Sequence, residues 1–230
     1  MSWKDYNNNP EATLFKVWGM RRVGNHAIIE WISKHFNKTI HNNDIISGRP
    51  WVIKEYGTGN VVDLQIDSYE DFEPRLDSEP DSNTIFLLRD WYNVCASRHV
   101  SGRGWTYSAR HFNGVNYNRS CSEVYLKYCE LYEKYPDNFI LYNQWVEDES
   151  YLKSVEQRYD WKHIPRDNKM PKSGIGGGSS FSNEVVDPKR FNQRYKDVME
   201  NDKDNWELMI SDSKINDYCE KIFNMKVKDL

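Results

Sequence analysis

The stretch VWGMRRVGNHAIIEWI, residues 17–32, restricts the fold of this chain more than any other feature. An apolar run is followed by Gly19, four further residues, Gly24, and then an amphipathic helical pattern. This is the glycine spacing of the phosphate-binding loop G-x-x-x-x-G-K-[ST]. Asn25 and His26 stand where that motif has lysine and the hydroxyl residue that binds Mg²⁺. The spacing therefore predicts an anion-binding turn between a strand and a helix, suited to an anion that is handled without a metal.

Alternation of short apolar runs with helical patterns indicates the fold class. The apolar runs have the length of buried strands and lie at residues 14–18, 51–56, 84–88 and 138–142. Strands that alternate with helices predict an α/β fold with a central parallel sheet flanked by helices. The stretches 57–83, 99–118 and 161–183 have no such regularity, and we expect them to be loops.

Residues with capping chemistry mark where several helices should begin. Asn25 is the expected cap of the first helix. Ser120 with Glu123 has the pattern of a capping box. Asp187 followed by Pro188 predicts one helix that continues through residues 191, 195 and 198.

Length and composition fit one folded domain of 230 residues, with residues 1–13 as a flexible N-terminus. A net charge of −4 argues against general nucleic-acid binding. The first residues do not resemble a signal peptide, and no apolar run approaches the ~18–20 residues of a membrane span. The four cysteines form no C-x-x-C pair, so we expect reduced core thiols. Together these features predict a cytoplasmic protein with no membrane span.

A second motif, IFLLRDWYNVCASR, places Arg89 at the end of a predicted strand and Ser97 eight residues later on the next helix. The carboxyl ends of neighbouring parallel strands open on a common crevice. Arg89 is therefore expected to face the same cleft as the Gly24 loop, which gives that cleft two anion sites.

With these two motifs the chain resembles the sulfotransferases that use 3′-phosphoadenosine-5′-phosphosulfate (PAPS). That family typically has an R/K-x-G-T-T loop for the 5′-phosphosulfate, and an Arg followed eight residues later by a Ser for the 3′-phosphate. Here Asn25-His26 replaces the two threonines. The resemblance implies a P-loop NTPase-like sulfotransferase architecture and metal-independent transfer of a sulfuryl group from PAPS. The product would be 3′-phosphoadenosine-5′-phosphate (PAP), and the acceptor a small molecule, carbohydrate or peptide with a hydroxyl or amine.

The resemblance also implies which residues contact the cofactor. They come from the loop, from the second motif and from the later segment KSGIGGGSSF, and are Arg21, Arg22, Val23, Gly24, Asn25, His26, Ala27, Arg89, Ser97, Lys172, Gly177, Ser179 and Ser180. No pair of His or Cys residues with nearby carboxylates has ligand spacing, so no metal site is expected.

The catalytic residues implied by the resemblance are Arg22 and His26 at the transferred group and a general base that takes the proton of the acceptor. The family often draws that base from a strand between the two motifs. In this sequence that strand is WVIKEYG, which supplies Glu55. The alternative bases are His41, His99 and His111.

Two other functions remain open at the level of sequence. A nucleotide or small-molecule kinase with a degenerate loop would need Mg²⁺ and ATP. A non-catalytic binding protein would keep the nucleotide cleft without a working base.

Overall fold

A computed structural model describes residues 11–46, 49–71, 79–100, 108–112, 115–165 and 188–230. Its strands are β1 (Thr13–Gly19), β2 (Lys38–Ile46), β3 (Arg49–Gly57), β4 (Leu64–Glu70), β5 (Thr84–Leu88), β6 (Ser108–Phe112), β7 (Val115–Arg119) and β8 (Phe139–Leu141). Its helices are α1 (Asn25–Ser33), α2 (Trp91–Val100), α3 (Cys121–Lys134), α4 (Tyr142–Glu147), α5 (Glu149–Arg158), α6 (Pro188–Phe191), α7 (Arg194–Asn201), α8 (Lys203–Met209) and α9 (Ser213–Phe223). The α/β class predicted from the sequence is confirmed.

The central sheet has six strands in the order β3-β2-β4-β1-β5-β8 and is flanked by helices. The pairs β2 with β4, β4 with β1, β1 with β5 and β5 with β8 are parallel, whereas β3 is antiparallel to β2. The prediction of a parallel sheet was wrong for β3, because only residues 47 and 48 separate it from β2. So short a connection can join only antiparallel strands.

Two strands of the sheet were missed because their buried faces carry polar residues. In β4 every second residue is buried, and two of those four are Ser68 and Glu70. In β2 the buried His41 has its Nε2 atom 2.9 Å from the Ser68 hydroxyl. Polar groups that satisfy one another across neighbouring strands can replace the apolar pattern on which a sequence search depends. The expectation of a loop over residues 99–118 was also wrong, because β6 and β7 form an antiparallel hairpin.

Only some of the predictions for helix starts are confirmed. The capping box is confirmed, since Glu123 N donates to Ser120 Oγ and Ser120 N donates to the Glu123 carboxylate. Asn25 does not cap α1; Gly24 is the capping residue and Asn25 is the first helical residue. The helix predicted through residues 191–198 is interrupted between Phe191 and Arg194, and so forms α6 and α7. Asp187 lies outside the described residues.

One cluster of buried apolar side chains packs the central sheet against the helices that flank it. All four cysteines are buried and free, as the sequence predicted. Within the described ranges, no helix has the length and apolar character needed to cross a membrane.

Candidate anion-binding site

The turn between β1 and α1 depends on two residues with positive φ, Arg22 at 77° and Gly24 at 99°. Gly24 has little room for a side chain, because a Cβ there would lie 2.1 Å from two ring atoms of Tyr142. The backbone N–H groups of Gly24, Asn25 and His26 have no hydrogen-bond acceptor among the described residues. Unpaired N–H groups at a helix start, together with the positive end of the helix dipole, favour an anion.

Other parts of the loop are engaged by the protein itself. The N–H of Val23 donates to Met20 O at 3.4 Å, and that of Ala27 donates to Gly24 O at 3.1 Å. The Val23 side chain is fully buried in the core. These two residues, which the resemblance placed at the cofactor, instead hold the shape of the turn.

Arg21 fixes the loop to the ends of two neighbouring strands. Its guanidinium donates to Asp44 at 2.7 Å and to Glu70 at 3.2 Å, and its backbone N–H donates to Asp71 at 2.8 Å. Burial alone would raise the pKa of Asp71, but the charges and hydrogen bonds of Arg98 and Arg21 together outweigh it and the pKa is lowered. Arg21, predicted to contact the cofactor, is therefore already surrounded by carboxylates of the protein.

The Asn25 side chain turns back beneath the loop. Its Nδ2 donates to Met20 O at 3.2 Å and to Glu70 Oε1 at 2.9 Å, which uses both amide hydrogens. A Cβ on Gly19 would lie 2.6 Å from Asn25 Oδ1, so this close contact needs a glycine at position 19. Only the backbone of Asn25 is left to donate to an anion.

Arg89 lies against the Gly24 loop, so the prediction that it faces the same side of the sheet as that loop is confirmed. Its Nη1 donates to Arg22 O at 3.1 Å, its Nη2 donates to Phe191 O, and its guanidinium lies 4.8 Å from the Tyr142 ring centroid. The contact follows from the sheet order, because β5 pairs directly with β1. The Tyr142 ring is thus close to both Gly24 and the Arg89 guanidinium.

Ser97, the second residue of that motif, meets a residue that the sequence reasoning missed. Its Oγ accepts from Arg194 Nη1 at 2.9 Å, and both side chains are almost fully buried. The pKa of Arg194 is lowered to about 9, mainly by burial and also by the positive charges of Arg89 and Arg22. The site thus contains three neighbouring guanidinium groups.

A polar network positions Arg194 against α2. Asp90 accepts from the backbone and side chain of Asn93 and from the Asn143 side chain. Asn93 Oδ1 in turn accepts from the backbone N–H of Arg194 at 2.7 Å. A signal for Arg194 was present in the sequence, since it shares a helical stripe with buried apolar residues at 191, 195 and 198.

Arg89 and Arg98 are both buried, but they differ in whether a described carboxylate pairs with the guanidinium. Arg98 Nη1 forms an ion pair with Asp71 Oδ1 at 2.8 Å. Arg89 is 2% exposed, forms no ion pair with a described carboxylate, and has no partner for its buried Nε. Burial lowers its pKa, although the nearby Tyr142 and the Asp90 carboxylate act against that lowering. A buried cation without a counter-ion is costly, so this part of the cleft is electrostatically prepared for an anion.

Glu55 lies far from this cleft along the strands. Because β3 is antiparallel, the register places Glu55 level with Leu14 near the start of β1. The loop follows Gly19, five residues further on, which corresponds to about 16 Å at ~3.3 Å per residue. The Glu55 carboxylate contacts Lys38 at 3.2 Å and is 47% exposed. The structure does not bring Glu55 to the loop.

Glu70 is a carboxylate beside the loop that sequence reasoning missed. It ends β4 and pairs in register with Gly19. Its pKa is raised, first by burial and then by Asp44, while Asn25 and Arg21 partly offset the rise. A raised pKa is typical of a group that can take up a proton near neutral pH.

His26 lies on the first turn of α1, where its Nδ1 is 3.4 Å from Lys54 Nζ. The pKa of His26 is lowered to about 4, mainly by burial and also by the charges of Lys54 and Arg22. The ring is therefore neutral at physiological pH.

Of the alternative bases, His41 lies near the start of α1, where its ring centroid is 6.2 Å from that of His26. His41 is fully buried, and its pKa is lowered well below the usual range, mainly by burial. His99 Nε2 lies 3.2 Å from Asp202. His111 is in β6, whose side chains are not described, and Lys172, Gly177, Ser179 and Ser180 lie outside the described residues.

In the described segments, no group of three or more His, Cys, Asp or Glu residues is arranged to hold a metal ion. The chain matches no protein-family model, no curated protein and no solved structure. The arrangement at the loop must therefore be interpreted from its own chemistry: unpaired N–H groups at a helix start and a neighbouring cluster of buried guanidinium groups.

Proposed function

We propose that the chain is a metal-independent sulfotransferase that uses PAPS and has the P-loop-like architecture of that family. The observation that carries the proposal is Arg89, a fully buried guanidinium that forms no ion pair with a described carboxylate and is in contact with the Gly24 loop. A second anion site beside a phosphate-binding loop suits a nucleotide with phosphate groups at both its 5′ and 3′ positions. An ordinary nucleoside triphosphate has no 3′-phosphate.

The residues present fit such a ligand. The free N–H groups of Gly24, Asn25 and His26 would hold the 5′-phosphosulfate, with Arg22 as the nearby cation. Arg89, through its unpartnered Nε, and Arg194 would hold the 3′-phosphate. Of the five guanidinium N–H groups of Arg89, the two bonds to carbonyls use two, which leaves three.

When bound, the cofactor would supply a sulfuryl group and leave as PAP. The part played by the chain is alignment and charge stabilisation. Arg22 and the loop N–H groups would stabilise negative charge on the departing side. The acceptor hydroxyl must also lose a proton, and we assign that role to Glu70 in place of Glu55, because Glu70 lies at the loop and has a raised pKa.

Isothermal titration calorimetry tests the proposal. PAP should bind in EDTA, and adenosine 5′-phosphate should bind more weakly because it lacks the 3′-phosphate. Binding of ATP only with Mg²⁺, and more tightly than PAP, would refute the sulfotransferase and favour the kinase. Binding of PAP without sulfuryl transfer to any acceptor in a panel of sugars, phenols and tyrosine peptides would favour the non-catalytic alternative.

A further inference from the structure

Lys54 of β3 contacts the first turn of α1, although nothing in the sequence linked it to the loop. Its Nζ lies 3.4 Å from His26 Nδ1. The contact depends on the register, in which Lys54 is opposite His41, whose ring centroid is 6.2 Å from that of His26. Side chains alternate along a strand, so Lys54 lies on the α1 face of the sheet while its neighbour Glu55 lies on the other face.

This contact determines the tautomer of His26. An ammonium group has three N–H donors and no acceptor, so Lys54 can only donate to Nδ1. A neutral imidazole that accepts at Nδ1 carries its single proton on Nε2. His26 is neutral because its pKa is about 4. Its ring therefore presents one N–H donor, at Nε2, for which the described residues offer no acceptor.

The charges around the pair are consistent with this assignment. Lys54 has its pKa lowered by burial, and the carboxylates of Glu70 and Glu30 act against that lowering and favour the ammonium form. The groups that face His26 are Lys54 from β3, Arg22 from the loop and His41 from β2. His41 is itself engaged, since its Nε2 lies 2.9 Å from Ser68 Oγ.

We propose that Lys54 is a positioning residue that fixes His26 as the Nε2–H tautomer, so that His26 donates a hydrogen bond to a sulfuryl or phosphate oxygen seated on the loop. This inference rests on the proposed function for the identity of the ligand. It gives His26 the hydrogen-bonding role of a hydroxyl group while adding no positive charge. A neutral donor at this position suits a sulfuryl group, which carries less charge than a terminal phosphate.

Two-bond ¹H–¹⁵N spectra of the histidine rings test the tautomer directly, with no nucleotide present. His26 of the wild-type protein should be in the Nε2–H form, and the Lys54→Met variant should show the Nδ1–H form as well. Lys38→Met is the matched control, because Lys38 is paired with Glu55 and should leave the His26 signals unchanged. An Nδ1–H His26 in the wild type, or an unchanged His26 in Lys54→Met, would overturn the inference.

PAP affinity tests the second part of the inference, that His26 donates a hydrogen bond to the bound ligand. Lys54→Met and His26→Ala should each weaken PAP binding about tenfold or more, as expected for one hydrogen bond to a charged acceptor. His26→Gln keeps an N–H donor that needs no tautomer, so it should retain most of the affinity. In the His26→Gln background, Lys54→Met should then have little further effect. An equal loss in both backgrounds would show that Lys54 acts by its charge alone.

The two proposals can fail separately. If the wild-type protein does not bind PAP, the proposed function and the second part of this inference are both wrong, whatever the tautomer. If PAP binds but His26 is the Nδ1–H tautomer, the proposed function stands and only the role of Lys54 is refuted.

Discussion

Replacement of Arg89 by methionine tests whether the buried guanidinium stabilises the fold or serves to bind a ligand. The change removes a buried guanidinium that has no ion-pair partner among the described residues, a burial that costs several kcal/mol. It also removes hydrogen bonds to Arg22 O and Phe191 O, each worth roughly 1.5–3 kcal/mol when the donor is charged. The two effects oppose each other, so we expect the free energy of unfolding to change by no more than about 1 kcal/mol.

Arg98→Met is the matched control, because Arg98 is equally buried but has a carboxylate partner. Its removal leaves Asp71 buried with only Arg21 nearby, at 3.9 Å. Loss of one partner of a buried pair typically costs ~3–5 kcal/mol. Urea unfolding in chloride buffer, free of sulfate and phosphate, should therefore show Arg98→Met to be less stable than Arg89→Met by about 2 kcal/mol or more.

Of the same two variants, Arg89→Met should weaken nucleotide binding more, because Arg89 is the residue proposed to contact the ligand. Arg89→Met should weaken PAP binding by about 10- to 150-fold, which corresponds to ~1.5–3 kcal/mol, and should weaken adenosine 5′-phosphate binding much less. Calorimetry with both ligands measures the difference. Equal losses for the two ligands, or a loss of stability in Arg89→Met as large as in Arg98→Met, would refute the view that Arg89 awaits a 3′-phosphate.

Three further predictions concern the loop and its neighbours. Gly24→Ala should lower the free energy of unfolding by more than about 2 kcal/mol in urea titrations, because φ of 99° is strained for alanine and the Cβ would meet the Tyr142 ring. Once an acceptor is known, Glu70→Gln should lower kcat by ~10²–10⁴-fold with PAP affinity largely retained, whereas Glu55→Gln should change neither; the reverse ranking would restore Glu55 as the base. As the pH falls from 6.5 to about 4, the free energy of unfolding of the wild-type protein should decrease by up to about 3 kcal/mol more than that of His26→Gln. The reason is that a His whose pKa is lowered in the folded state stabilises the fold above its unfolded pKa and loses that contribution on acidification. Parallel stability curves for the two proteins would contradict a buried neutral His26.

Local patterns in the sequence determined the start and end of the elements around the loop. The run before Gly19 is a strand and the pattern after Gly24 is a helix, because apolar periodicity and glycine conformation act within a few residues. The nearness of Arg89 to the loop was also predictable, since β1 and β5 are parallel neighbours and each functional residue follows a strand end.

The direction and pairing of the strands at the β3 edge of the sheet could not be predicted from local sequence patterns. The direction of β3 depends on its pairing with β2, a strand whose polar residues hid it from a search for apolar runs. That pairing brings Lys54 to the start of α1, while its neighbour Glu55 lies on the opposite face of the sheet. Register and strand direction are set by long-range hydrogen bonding, which no window of sequence contains.

The partners of the arginines were likewise decided by tertiary structure alone. By sequence, Arg21, Arg22 and Arg89 were equivalent candidates for an anion. Folding places three carboxylates from the ends of β2 and β4 around Arg21, whereas Arg89 forms no ion pair with any carboxylate that the structure describes. Arg194 reaches the same cleft from more than 100 residues further along the chain. Whether a charge holds the protein together or remains available to a ligand depends on which neighbours the fold supplies, and that is a property of the assembled structure.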